Sequence, residues 1–202
     1  MLSDQKQKAI INAAIKRFAH FGVAKTTMAE IAADLNISKP SLYYYFPDKL
    51  NLYAEVFKTI TNSGSTEYED TIAKEDDPFK AILLFLERRT EFIIKYHNIL
   101  SYLRSFSRTA LPAELQQVFA QLKKREVKQV TSIIEKGVQS GLFKINDARK
   151  TTELFFDFLE GFRMATLAHN AEVFPDKKQF QAILRKEKEF ATIFFNGLTK
   201  KS

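Results

Sequence analysis

The chain has 202 residues, 45% of them hydrophobic, enough for a large core and near the upper length of one domain, which fits a small amino-terminal module fused to a larger one. Zero cysteines exclude disulfides and thiolate metal sites, and no apolar run approaches the ~20 residues that span a bilayer, so no membrane association is expected. The net charge of +7 suits a polyanionic partner, but it is not confined to one segment, since residues 1–50 hold seven basic and four acidic side chains. Five prolines, six glycines and little alternating pattern predict an all-α fold. The start MLSDQKQK is not followed by the apolar run of a secretory signal, and a cytoplasmic protein is expected.

A first helix is predicted from about Asp4 to Phe21, with Ile11, Ala14, Ile15 and Phe18 on one face and Gly22 as its terminating glycine. Thr27 and Glu30 stand in S/T-x-x-E register, so hydroxyl and carboxylate can satisfy each other's backbone amides and open a second helix. Met28, Ile31, Ala32 and Leu35 give that helix an apolar face, which stops at Asn36, a residue that tolerates the left-handed conformation of a tight turn. Ile37 plugs the angle, Ser38 caps a third helix, and Pro40 lies in its first turn, where a missing amide hydrogen costs little. Leu42 and Phe46 face the core and leave Lys39, Ser41, Tyr44 and Tyr45 on other faces. A helix, a tight turn and a short helix with an exposed amino end read as a DNA-binding unit. Tyr43, Tyr44 and Tyr45 cannot all face a core, so at least one phenol is left to donate to a phosphate oxygen.

Asp48 then caps a long helix carrying Leu52, Val56, Phe57 and Ile60, which continues past Ser63 toward Ile72 with its weakest point at Gly64, where glycine costs about 1 kcal/mol. Pro78 opens a helix to about Tyr96, and a short helix covers about Ile99 to Ser107. Pro112 opens a long helix through Ser140 that stops at Gly141. Asn146 or Asp147 caps a helix over about 148–169, whose phenylalanines at 155, 156, 158 and 162 cover more than one face. The final helix, about 177–198, places Phe180, Ile183, Leu184, Glu187, Phe190 and Phe194 on one stripe. A monomer would expose such a stripe, so a homodimer interface through these residues is expected.

Residues Ser41, Leu42, Tyr43, Tyr44, Tyr45, Phe46 and Lys49, with the order of helices around them, resemble the TetR family of bacterial transcriptional regulators. Tyr45 stands where that family often has His, and Asn36 where it often has Gly. The resemblance implies a three-helix DNA-binding domain over residues 1–48 and a ligand-binding and dimerisation domain over 49–202, about nine helices in all. It implies a dimeric, ligand-responsive regulator of a palindromic double-stranded DNA operator, with repression favoured because a bound dimer blocks polymerase without further machinery. By resemblance, Tyr43, Tyr45 and Lys49 contact phosphate together with Thr27. Lys39, Pro40 and Ser41 occupy the base-facing start of the third helix, where Lys39 can address guanine and Pro40 a thymine methyl, with Met28 adding an apolar groove contact. Tyr44 joins this set, with core packing as its alternative.

A small-molecule effector pocket is expected among Phe92, Tyr96, His97, Tyr102, Arg104, Phe106, Phe119, Phe155, Phe158, Phe162 and His169, for an apolar or aromatic ligand, although plain core packing competes for every aromatic in that set. An enzyme is not expected. The three histidines, His20, His97 and His169, form no metal-spaced cluster, and there is no phosphate-cradling glycine loop or nucleophile elbow, so no cofactor is assigned. The alternative is a protein of the same fold acting mainly through protein–protein contacts, with DNA binding secondary.

Overall fold

The computed structural model describes residues 2–63, 65–106, 111–168 and 175–199. Its helices are α1 (Leu2–Phe21), α2 (Met28–Asp34), α3 (Lys39–Tyr45), α4 (Lys49–Ser63), α5 (Ser65–Ala73), α6 (Pro78–Lys95), α7 (His97–Leu100), a 3-10 helix (Ser101–Ser105), α8 (Ala113–Gln139), α9 (Ala148–Ala168) and α10 (Lys177–Asn196). No strand occurs among the described residues; a single bridge pairs Phe143 with Thr199. None of the helices described is long and apolar enough to cross a membrane.

The all-α class is as expected. The helix predicted from Asp48 toward Ile72 is described on both sides of Gly64, as α4 and α5, while its expected weakest point, Gly64, lies outside the described residues; the short helix predicted from Ile99 is α7 continued by the 3-10 turn. The chain divides into two compact units, Met1–Gly64 with Lys95–Gln121, and Ser65–Ile94 with Leu122–Ser202. The sequence division between residues 48 and 49 falls inside the first.

In the first unit α4 supplies core rather than a bare connection. Tyr53 is wholly buried between Phe18, Phe57 and Tyr102, and Phe57 packs on Phe119 at 4.9 Å. A buried phenol needs an acceptor, and Tyr53 Oη donates to the Ile99 carbonyl at 3.0 Å, which ties α4 to α7. Burial also raises the Tyr53 pKa, keeping the phenol neutral and donating.

In the second unit α6, α8, α9 and α10 share a core that includes Phe85, Leu86, Val130, Ile134, Phe155, Phe156, Leu159 and Phe195. After α8, Gly141 turns at φ +75°, and the chain folds the Phe143 ring back onto Gly137 so closely that a Cβ there would lie 2.2 Å from a ring carbon. Only glycine leaves room for that ring. Lys144 N then donates to Leu198 O at 2.8 Å, joining the turn to the chain beyond α10.

The stripe assigned to dimerisation is corrected in part. Phe180, Ile183 and Glu187 are buried at 5%, 4% and 0% exposure and face inward with Ala191 and Phe195. Glu187 forms a two-pronged ion pair with Arg163 of α9, and a carboxylate buried in that pair has no surface to offer a second subunit. Leu184, Phe190 and Phe194 are half-buried against the core. Large apolar side chains exposed on these two helices, among the described residues, are Leu154, Phe158 and Met164 on α9 and Ile193 on α10.

Candidate nucleic-acid interface

The DNA-binding unit formed by α1 to α3, the reader, is shaped by three local signals. Gly22 takes φ +83° and its amide donates to Phe18 O, which ends α1. The capping box at Thr27 is complete: the Glu30 amide donates to Thr27 Oγ1 at 3.3 Å, while the Thr27 amide and hydroxyl donate to the Glu30 carboxylate at 2.7 and 2.8 Å. Asn36 adopts φ +52°, and the Ile37 amide returns to Ala32 O at 3.0 Å. That left-handed residue makes the tight turn from which Ser38 caps α3 by accepting from the Ser41 amide.

Two clamps, neither visible as a motif, hold α1, α2 and α4 together. Arg17 of α1 reaches Asp34 with both Nε and Nη2, the latter at 2.8 Å, and lies 3.5 Å from Glu30. The fork geometry suits a carboxylate. Its hydrogen bonds hold the Asp34 pKa below the ordinary carboxylate range, and the Thr27 amide does the same for Glu30. Lys49, at the start of α4, donates its ammonium to the carbonyls of Val23, Thr26 and Ala24 at 3.0, 3.1 and 3.4 Å.

On this frame α3 presents Lys39 and Pro40, both exposed, with Tyr43 at 46% and Tyr44 at 83% exposure. Ser41 and Tyr45 are half-buried, and the Tyr45 ring meets the Tyr44 ring edge to face at 5.2 Å. The core alternative for Tyr44 falls away. Met28 is 6% exposed and packs inside the reader, so the apolar groove contact expected of it is withdrawn. The Thr27 hydroxyl proton is already given to Glu30. Lys49 turns its three donors into the α1–α2 loop, so a phosphate oxygen would compete with three carbonyls for them.

The residues expected around an effector divide between the units. Tyr96, His97, Tyr102, Arg104, Phe106 and Phe119 belong to the first, and Phe92, Phe155, Phe158 and Phe162 to the second; His169 lies outside the described residues. Tyr102 packs between Tyr53 and Phe106, and Arg104 is exposed. Phe155 is wholly buried among Phe190, Phe194 and Phe195, where α10 rings fill the space around it, so it is core rather than cavity wall. Phe158 stacks on Phe190 at 3.7 Å with its other side exposed, and Phe162 lies beside Lys186.

Comparison with known proteins agrees with the geometry. Residues 10–56 match the bacterial regulatory proteins of the tetR family, and residues 91–200 match the C-terminal region of QacR-like protein. The uncharacterized HTH-type transcriptional regulator YhgD of Bacillus subtilis (strain 168) is 26% identical over 154 residues, which cover 74% of this chain and 78% of that protein. A transcriptional regulator from Cytophaga hutchinsonii ATCC 33406, known as a crystal structure, superposes with TM-score 0.84 at 30% identity over 96% of this chain and 99% of its own. The regulator FadR from Bacillus subtilis, crystallised in complex with stearoyl-CoA, shares the fold at TM-score 0.65 and 18% identity, over 95% of this chain and 98% of its own. With a family match at each end of the chain and a superposition over 96% of it, the chain belongs to the TetR family of helix-turn-helix transcriptional regulators.

Proposed function

We propose that this regulator is a cytoplasmic, dimeric repressor that binds a palindromic operator through α3 and is released by a small ligand in its helical body. The observation that carries the DNA contact is the exposed row Lys39, Pro40, Tyr43 and Tyr44 on a helix whose other face, through Leu42, is fully buried. Lys39 and Pro40 at the amino end address base edges, while Tyr43 donates to phosphate, assisted by Tyr44, Tyr45 and Ser41. Dimerisation is supported by the outward Leu154, Phe158 and Ile193, which are 60%, 49% and 67% exposed on neighbouring helices. Large apolar side chains gathered in this way mark an interaction surface. Ligand response is supported by the match of residues 91–200 to a QacR-like carboxyl-terminal region and by the acyl-CoA held in the related FadR fold.

The experiment is selection of binding sites from a random duplex pool, followed by fluorescence anisotropy on the selected site and on random DNA across a salt series. Expected are an inverted repeat with half-sites one helical turn apart, about 34–36 Å, and a steep fall of affinity with salt. Lys39→Ala should cost about 1–3 kcal/mol at one base position while leaving random DNA unaffected. Recovery of no consensus, together with a flat salt response, would shift the function to protein binding.

A further inference from the structure

Within the second unit, a groove of about 300 Å³ lies between α5, the turn to α6 and α8. That volume is at the small end of the range for ligand sites. Its apolar floor is Ile72, Pro78 and Ile133. Its α8 wall follows one helical face, with Arg125, Lys128, Gln129, Ser132 and Lys136 at spacings of three and four. Lys136 braces the groove by donating to the Ala73 carbonyl at the end of α5, at 2.6 Å. Three cations therefore face two carboxylates, Glu69 and Glu75, and the Glu75 carboxylate already accepts from the Asp77 amide at 3.0 Å.

The Gln129 side chain sharpens the ligand chemistry. Its Nε2 is buried and has no hydrogen-bond partner among the described residues. An amide NH2 can only donate, and leaving it unmet in the interior is unfavourable, so the wall calls for an acceptor. We infer that this groove binds a small amphiphile bearing a carboxylate, its head against Gln129 and the α8 cations and its apolar body on Ile72, Pro78 and Ile133. As the effector site this inference rests on the ligand-release reading above; as a binding site it stands alone.

Calorimetry with the full chain tests it, using decanoate, decanol and decylammonium, which share one tail and differ in the head. Decanoate is expected to bind once per chain and at least tenfold more tightly than decylammonium. Ser132→Trp, at an exposed position on the groove wall, should abolish decanoate binding with the melting temperature retained. Gln129→Leu should leave the melting temperature equal or higher, since an unmet amide is removed, and should shrink the preference for decanoate over decanol several-fold. No decanoate binding, equal or tighter decylammonium binding, or decanoate binding that Ser132→Trp leaves unchanged would each overturn the inference. Operator affinity measured with and without decanoate separates the two readings. Groove binding that leaves operator affinity unchanged keeps this site and removes it from the switch.

Discussion

Replacing Lys49 by methionine keeps the length of the side chain and removes only the ammonium, which makes it a direct test of whether this residue holds the reader together or touches DNA. Of its three carbonyl partners, those of Val23 and Thr26 are met at part-buried hydrogen bonds and that of Ala24 at an exposed one. A hydrogen bond to a charged group contributes about 1.5–3 kcal/mol, and the exposed carbonyl regains water when the ammonium leaves. Methionine also recovers rotamer freedom, which offsets part of the loss by up to about 2 kcal/mol. A net destabilisation of about 2 kcal/mol is the expected result, or roughly 4–8 °C in melting temperature for a chain of this size. The second readout is the slope of log affinity against log salt. Loss of one phosphate contact lowers it by about 0.9 in magnitude, whereas loss of a clamp weakens binding with the slope kept. An unchanged melting temperature with a slope reduced by about one would show that Lys49 reaches phosphate and would refute the clamp.

Three further perturbations probe other parts of the chain. Gly137→Ala should lose up to about 2 kcal/mol in urea denaturation, because crowding the Phe143 ring costs about 1–3 kcal/mol and the gain in helix propensity returns about 1. Glu30 and Asp34 have pKa values depressed below 4.5 and 3.8, so their stabilisation is complete above those values and is lost as pH falls through the folded pKa. Acid melting of the first unit should therefore steepen below about pH 4.5, and Glu30→Gln with Asp34→Asn should flatten it. Ile193→Glu, at a position 67% exposed, should yield a folded monomer by sedimentation, and a variant that stays dimeric at micromolar concentration would place the interface elsewhere.

The starts and stops of the helices were legible because their causes are local. The Thr27 box, the left-handed Asn36, Gly22 and Gly141 each act within four residues, and the structure has all of them. Clamps made by side chains far apart in sequence were not. Arg17 and Asp34 are seventeen positions apart, and Lys49 finds acceptors on backbone carbonyls, which carry no sequence signature. Met28 shows the limit of a single apolar residue at a helix start: the same side chain suits a groove contact or a core, and only the packing of α1 on α2 decides.

The last helix shows why periodicity alone mistakes one face for another. From Glu187, steps of three and four lead equally to Phe190 and Phe194 or to Ala191 and Phe195, and a pattern that admits both does not say which set is buried. The structure chooses the second: Ala191 and Phe195 are buried on the face where Arg163 holds Glu187 inside. Burial lowers the Arg163 pKa even so, against the opposing pull of the Glu187 carboxylate. Breaking such a pair from one side costs about 3–5 kcal/mol, whereas replacing both partners with apolar residues is often neutral. Its contribution is thus better read as registry than as net stability. On the same pair of helices Phe190 lies on Phe158 and Ile193 faces outward, so an ion pair that fixes the register of α10 on α9 is compatible with the apolar residues presented outside it.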